Sequence, residues 1–413
     1  MTKKLLVALL TVLSASTAFA ANQQPVPVYT FICNVDQNGS GPCPSGGIPS
    51  SLFQGSDGTF YGTAQTSSLL RDTAGPGGTV FSLTPDGTLT VLHTFLPGPD
   101  ETYPNGSLPG LLVEGSDGKL YGATAFGGVD GCNGYCGDGV LFRLNKDGSD
   151  FQIVHKSCSR TNCTDGGGVT ALAVAKDGNL YGTDFGGGLN HCGDGGCGAI
   201  FQVTPSTGEY KLVFSFNGTS DGYEPVALMP VGALLYGSDG KLFTYNPKTG
   251  VFKIINETKS LPDSRRQSGG APGAIGPDGE LYGFHSIWGK DGIGLSEVRL
   301  NGKDLQLFPF YNSLVDGGQP DGLLLATDKN FWVADFHGAT GYGDIITLSP
   351  ADGSLLQTLT PFDTSSPVGA YPVGIIQAND GILWGSTYLG GNASDGQAAE
   401  GTIFTLNVSL PPR

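Results

Sequence analysis

One short string recurs along the chain and decides what it can fold into. It reads Gly55-Ser-Asp-Gly-Thr-Phe-Tyr-Gly62, then Gly115-Ser-Asp-Gly-Lys-Leu-Tyr-Gly122, then Lys176-Asp-Gly-Asn-Leu-Tyr-Gly182 and Pro277-Asp-Gly-Glu-Leu-Tyr-Gly283. Weaker copies end on Tyr236, Trp332 and Trp384. The seven anchor aromatics (Tyr61, Tyr121, Tyr181, Tyr236, Tyr282, Trp332 and Trp384) are spaced by 46 to 60 residues. That period suits a propeller blade better than a helical repeat. Asp-Gly between short apolar runs is a hairpin signal, because glycine accepts the positive φ that such turns need.

Each copy predicts four strands. In the second they fall at 110–113 (A), 119–124 (B), 140–144 (C) and 151–155 (D). The seventh copy has a C strand at 402–408 and no D strand after it. Residues 26–31 form an unmatched strand near the N-terminus whose Val-Tyr-Thr-Phe pattern matches the first copy's D strand. The expected fold is therefore all-β, a seven-bladed β-propeller of four-stranded blades. The N-terminal strand 26–31 completes the last blade and closes the ring, which removes the exposed sheet edges. Composition agrees. Only 14% of residues are charged, with 68 Gly and 26 Pro among 413, which suits a turn-dense chain and not a helical bundle.

The pattern Gly-x-Asp-Gly-x-Leu-Tyr-Gly-Thr, then Gly-Gly, then Gly-x-Val-Phe-x-Leu resembles the GloVer-type tandem repeat of exported bacterial choice-of-anchor proteins. The clearest copies span 117–144 and 177–203, with 57–83 and 380–406 also matching. The resemblance covers almost the whole chain after residue 20 and implies fold and export, with no catalytic residues. Family members often carry a C-terminal surface anchor. The C-terminus here has no apolar tail, so a soluble form is expected.

The first 20 residues read as a signal peptide. Lys3 and Lys4 precede an apolar run at 5–13, and Ala18-Phe19-Ala20 offers a small-x-small cleavage site. Residues 21–413 are then expected to form a single domain, secreted or periplasmic. Loss of the two lysines takes the formal charge from −16 to −18, because residues 1–20 contain no acid. Such a surface repels phosphate backbones and anionic lipids. The expected partners are a glycan or a surface protein, with no nucleic acid and no membrane insertion, for a chain expected to be monomeric.

All eight cysteines fall after residue 20, and an exported chain favours disulfides. Their grouping suggests Cys33–Cys43, Cys132–Cys136, Cys158–Cys163 and Cys192–Cys197. The alternative is a zinc site built from Cys192, Cys197 and His191. No cofactor is expected, although the Asp-Gly-rich loops at 130–138 and 194–195 could offer oxygens to Ca²⁺.

The turns A–B and C–D are uniformly tight. The B–C and D–A connections are long, and all the cysteine pairs fall in them. Function on a rigid scaffold usually sits on such loops. Phe126, Phe185, Phe336 and Tyr388 each follow the strand-B aromatic by four or five residues, and Asp184 and Asp335 directly precede Phe185 and Phe336. Aromatic rings beside carboxylates suit sugars. The competing view is that these rings pack the blades. His285, Trp288 and His337 break the repeat's phase and are better site candidates. The fourth copy has a B–C connection of only 237–240, which predicts a notch. The adjacent Arg265 and Arg266 could there receive a carboxylate or stand as a solvated pair. The leading functional reading is binding of carbohydrate or another surface polymer. The alternatives are a glycan lyase or hydrolase, a Ca²⁺-dependent lactonase, and an adhesion scaffold.

Overall fold

The computed structural model describes residues 24–34, 43–65, 76–98, 102–128, 138–190, 192, 196–239, 241–256, 273–287, 292–298, 305–311, 320–338, 340–359, 362–393, 397–406, 408 and 410–413. They form seven four-stranded antiparallel sheets. After β1 (Pro25–Asn34), the first sheet holds β2–β5 (Pro49–Gln54, Phe60–Ala64, Thr79–Leu83, Leu89–Thr94) and the second β6–β9 (Ser107–Glu114, Leu120–Phe126, Val140–Leu144, Gln152–Lys156). The third holds β10–β13 (Gly167–Val174, Leu180–Gly186, Ala199–Thr204, Glu209–Ser215) and the fourth β14–β17 (Ala227–Val231, Leu234–Ser238, Leu242–Asn246, Val251–Asn256). The fifth holds β18–β21 (Ala274–Ile275, Leu281–Ile287, Gly292–Val298, Leu305–Tyr311) and the sixth β22–β25 (Pro320–Leu325, Phe331–Asp335, Asp344–Leu348, Leu355–Leu359). The seventh runs β26 (Ala370–Gln377), β27 (Leu383–Leu389), β28 (Gln397–Leu406) and then β1, so the first strand hydrogen-bonds to the last. Four-stranded antiparallel blades of a propeller are what the repeat predicted.

The core is divided among the seams between sheets. Tyr61 and Phe95 of the first sheet pack against Leu112 and Phe142 of the second. Tyr121 and Leu141 meet Phe201 across the next seam, and Tyr181 meets Phe243 across the third. Tyr236 packs with Leu281, Tyr282 with Phe331, and Trp332 with Phe404. Trp384 of the seventh sheet meets Phe60 of the first, ring centroids 4.2 Å apart. Hydroxyls add polar ties. Ser50 Oγ donates to Pro109 O at 2.8 Å, and Thr170 Oγ1 to Pro225 O at 2.7 Å, each linking one sheet's A strand to the next.

The repeated string is explained by these contacts. In the turn, Asp117 Oδ1 accepts the Lys119 N–H at 3.2 Å, and Asp117 Oδ2 accepts the Tyr121 hydroxyl at 3.0 Å. Asp57 with Tyr61, Asp177 with Tyr181, Asp278 with Tyr282, and Asp328 with the Trp332 indole repeat the bond at 2.8–3.1 Å. Gly118 turns the chain at φ 78. Gly122, next to the tyrosine, lies beneath Phe142 of the neighbouring C strand. A Cβ there would overlap that ring, as it would at Gly182 under Phe201 and Gly385 under Phe404. Thus Leu-Tyr-Gly and Val-Phe-x-Leu are two halves of one packing unit.

Candidate functional site

The long connections leave the sheets at the ends of the B strands and re-enter at the starts of the A strands, so they share one face. Among the described residues three disulfides brace it: Cys33–Cys43, Cys158–Cys163 and Cys192–Cys197, with Cα separations of 4.1, 4.0 and 4.9 Å. The pairing of Cys192 with Cys197 replaces the zinc alternative; His191 lies outside the described residues, as does the expected Cys132–Cys136 pair.

Between the sixth and seventh sheets this face gathers five rings. Phe336 stacks on Tyr371 with centroids 5.0 Å apart and meets Tyr388 edge-on at 5.7 Å. His337 lies 5.1 Å from Phe336 and 6.1 Å from Tyr371, and Tyr342 lies 6.2 Å from Tyr371. Phe336, Tyr371 and Tyr388 are half-buried, whereas His337 and Tyr342 are exposed. The local chain explains the gathering. Gly338, Gly341 and Gly343 all have positive φ and fold the 336–343 connection back on itself, with the Gly343 N–H donating to His337 O at 2.8 Å. Gly343 then seats Pro372, and the Tyr371 N–H donates to Tyr342 O at 2.7 Å.

Tyr371 is held at φ 61, against both its chirality and the extended preference of a residue before proline. Such a conformation costs about 1–3 kcal/mol and persists only where surroundings enforce it. Leu108-Pro109 and Glu224-Pro225 repeat the device at φ 53, their N–H groups donating to Gly77 O and Cys197 O. The fold therefore presents one left-handed residue at the start of three A strands. Leucine, glutamate and tyrosine fill these positions.

Beneath the platform lie Asp335 and Asp344, register partners on β23 and β24 and essentially unexposed. They belong to a wider pattern. The six buried charged side chains among the described residues are Asp165, Asp184, Asp239, Asp335, Asp344 and Glu400, all acids and all toward the long-loop face. Around Asp184, the Tyr210 hydroxyl donates to Oδ2 at 3.0 Å while Oδ1 has no partner. Burial pushes Asp184 up to about 8; the Tyr210 bond opposes this, and Asp165 and Asp138 add to it. His155 stacks on Tyr210 at 3.8 Å and bonds through Nε2 to Asp165 O at 3.0 Å. Burial pushes His155 down and Asp138 up. Among the described residues, the group of metal-ligating types close enough to share an ion is Asp138, Cys158 and Cys163, and both its sulfurs are in the disulfide.

The structure brings Phe336, His337, Asp335 and Tyr388 together. Phe185 stands exposed and Phe126 half-buried on the third and second sheets, apart from that patch. His285 lies opposite Gly294 within the fifth sheet. Trp288, Arg265 and Arg266 lie outside the described residues. The notch expected at the fourth copy is occupied. Gly222 of the preceding connection packs directly on Asp239, and Lys241 Nζ donates to Thr219 O and Ser220 O at 3.1 Å. Tyr342 and Tyr371 were missed by sequence reasoning. The signal for Tyr371 was its proline, in phase with Leu108-Pro109 and Glu224-Pro225.

Sheets, seams and a loop-bearing face together define a propeller-type repeat protein. The sequence profile of the Gloeobacter/Verrucomicrobia repeat matches residues 23–240, more than half of the chain. The chain belongs to that family. Among solved structures it is similar to an oligogalacturonate lyase from Vibrio parahaemolyticus, with a TM-score of 0.52 and 11% identity over 94% of this chain and 99% of that one. It is also similar to the periplasmic gluconolactonase PpgL of Pseudomonas aeruginosa, with a TM-score of 0.50 and 17% identity over 81% and 95%. At these identities the likeness speaks for fold alone. Among curated proteins no match was found.

Proposed function

We propose that the chain is exported, that residues 1–20 are its removed signal peptide, and that residues 21–413 form one closed seven-bladed ring that binds carbohydrate through its long-loop face. The observation that carries this reading is the convergence of Phe336, His337, Tyr342, Tyr371 and Tyr388 on one patch. Ring faces pack against the C–H faces of sugars, and neighbouring polar groups take the hydroxyls. Tyr371 fills one of the three left-handed positions that the fold sets before a proline, and there the residue is a ring of the patch. The three disulfides fit an oxidising compartment, and among the described residues no helix is long and apolar enough to cross a membrane.

The reading as a lyase or hydrolase has less support. Asp335 and Asp344 form a close pair but are covered by their own connection, out of a substrate's reach. The test is retention of the protein on a panel of insoluble polysaccharides, with Phe336→Ala and Tyr388→Ala as variants. Retention that both substitutions lower by roughly tenfold is expected, the ratio given by about 1.4 kcal/mol. Retention unchanged in both variants would refute this placement of the site.

A further inference from the structure

We infer that the platform between the sixth and seventh sheets selects a cationic glycan, a polymer of hexosamines with free protonated amines, over neutral and acidic ones. The inference rests on reading that surface as a glycan site. Its first support is charge. From residue 320 to the C-terminus the chain carries eight Asp and one Glu against Lys329, Arg413 and the platform's own His337, with Asp328, Asp352 and Asp380 in the tight turns at the other end. Lys329 sits in an A–B turn, its N–H donating to Ala326 O, and the Arg413 N–H donates to Asn379 O of the corresponding turn in the seventh sheet. Lys329 and Arg413 thus lie at the end of the sheets opposite the platform.

Asp335, Asp344 and Glu400 lie at the platform's end. Asp335 directly precedes Phe336, and Gly338 packs on the Asp344 carboxyl group. The second support is the rings themselves. The face of an aromatic ring attracts an ammonium group, most strongly where water is excluded. The half-buried Phe336, Tyr371 and Tyr388 and the exposed Tyr342 gather such rings above the buried acids. The summed field of a chain with net charge −16 acts in the same direction. A polyuronate meets repulsion from the same groups, and a neutral glycan gains the stacking without the charge.

The experiment is calorimetric titration of the disulfide-intact protein at near-neutral pH with four hexasaccharides: glucosamine, N-acetylglucosamine, glucose and galacturonate. Oligolysine serves as a basic-protein control. The glucosamine oligomer is expected to bind at least roughly tenfold tighter than its N-acetylated form, with affinity falling as salt rises. Tyr371→Gly is expected to abolish this binding while preserving or raising thermal stability, since glycine accepts the left-handed backbone. Equal binding of the neutral hexamers at a Tyr371-dependent site would overturn the cationic preference and leave the glycan reading standing. Tighter binding of the galacturonate oligomer would overturn it as well. Oligolysine binding as tightly and unaffected by Tyr371→Gly would mark a basic-protein surface, again overturning the inference. Failure of every sugar to bind would remove both readings.

Discussion

The two faces of the molecule use their acids differently. On the tight-turn face five of the repeat's six described aspartates have both oxygens occupied, while Asp380 accepts the Ile382 N–H and the Trp384 indole N–H has no partner. Asp57, Asp117, Asp177, Asp278 and Asp328 each accept a backbone N–H two residues on and an O–H or N–H from the anchor aromatic. On the long-loop face six acids are buried, and Asp184 Oδ1 and Asp239 Oδ2 have no partner. One face solves the same backbone problem once per sheet, so its residues repeat. The other is freed from that task and holds buried acids, whose unpartnered oxygens cost stability. The repeated motif is therefore the wrong place to look for activity, although it is the easiest feature to see.

The comparison can be broken at its packing unit. Gly122→Ala forces a methyl group into Phe142 and the Leu111 carbonyl, whereas Gly110→Ala, on the neighbouring strand, meets nothing within 4 Å. We expect the first to cost about 3 kcal/mol and the second to be near neutral by denaturant midpoint. Similar costs would refute the pairing of Tyr-Gly with the C-strand phenylalanine.

It can be sharpened by pH. Folded Asp184 holds its proton up to about 8, while the unfolded side chain releases it near 3.8. Unfolding in that window releases a proton, so stability falls as pH rises. His93, pushed by burial down to about 4, and His155 act in the opposite direction, but only below their ordinary 6.5. Over the interval from pH 6.5 to 8 the difference between the parent and Asp184→Asn therefore reads Asp184. Urea melts should lose about 2 kcal/mol across it, and Asp184→Asn should flatten the slope. A rise in stability over that interval would contradict the burial of an acid on this face. A smaller effect belongs to the turn face. Tyr121→Phe, which deletes the bond to Asp117, should cost about 1 kcal/mol without altering the pH slope.

Much of the fold was legible because the repeat is local physics. Asp-Gly, Tyr-Gly and Val-Phe-x-Leu each name a turn or a contact within one sheet, and the unmatched strand near the N-terminus pointed to its partner β28. The site was legible in part. Phe336 and Tyr388 were visible as recurring rings, and His337 as one that breaks phase. Tyr371 was not, because its role depends on a left-handed backbone set by Gly343 and Tyr342 on another sheet. The occupied notch beside Asp239 was hidden for the same reason, since the filling residue, Gly222, belongs to the preceding sheet's connection. Contacts made at only one seam leave no periodic trace in a sequence.

The most direct test of the central claim is amide hydrogen exchange of the whole protein with and without a saturating glycan. Protection confined to residues 336–343, 371 and 388, with the Asp-Gly turns unchanged, is the predicted result. Protection of the turns at 57–58, 117–118 and 177–178, with the platform unchanged, would contradict it.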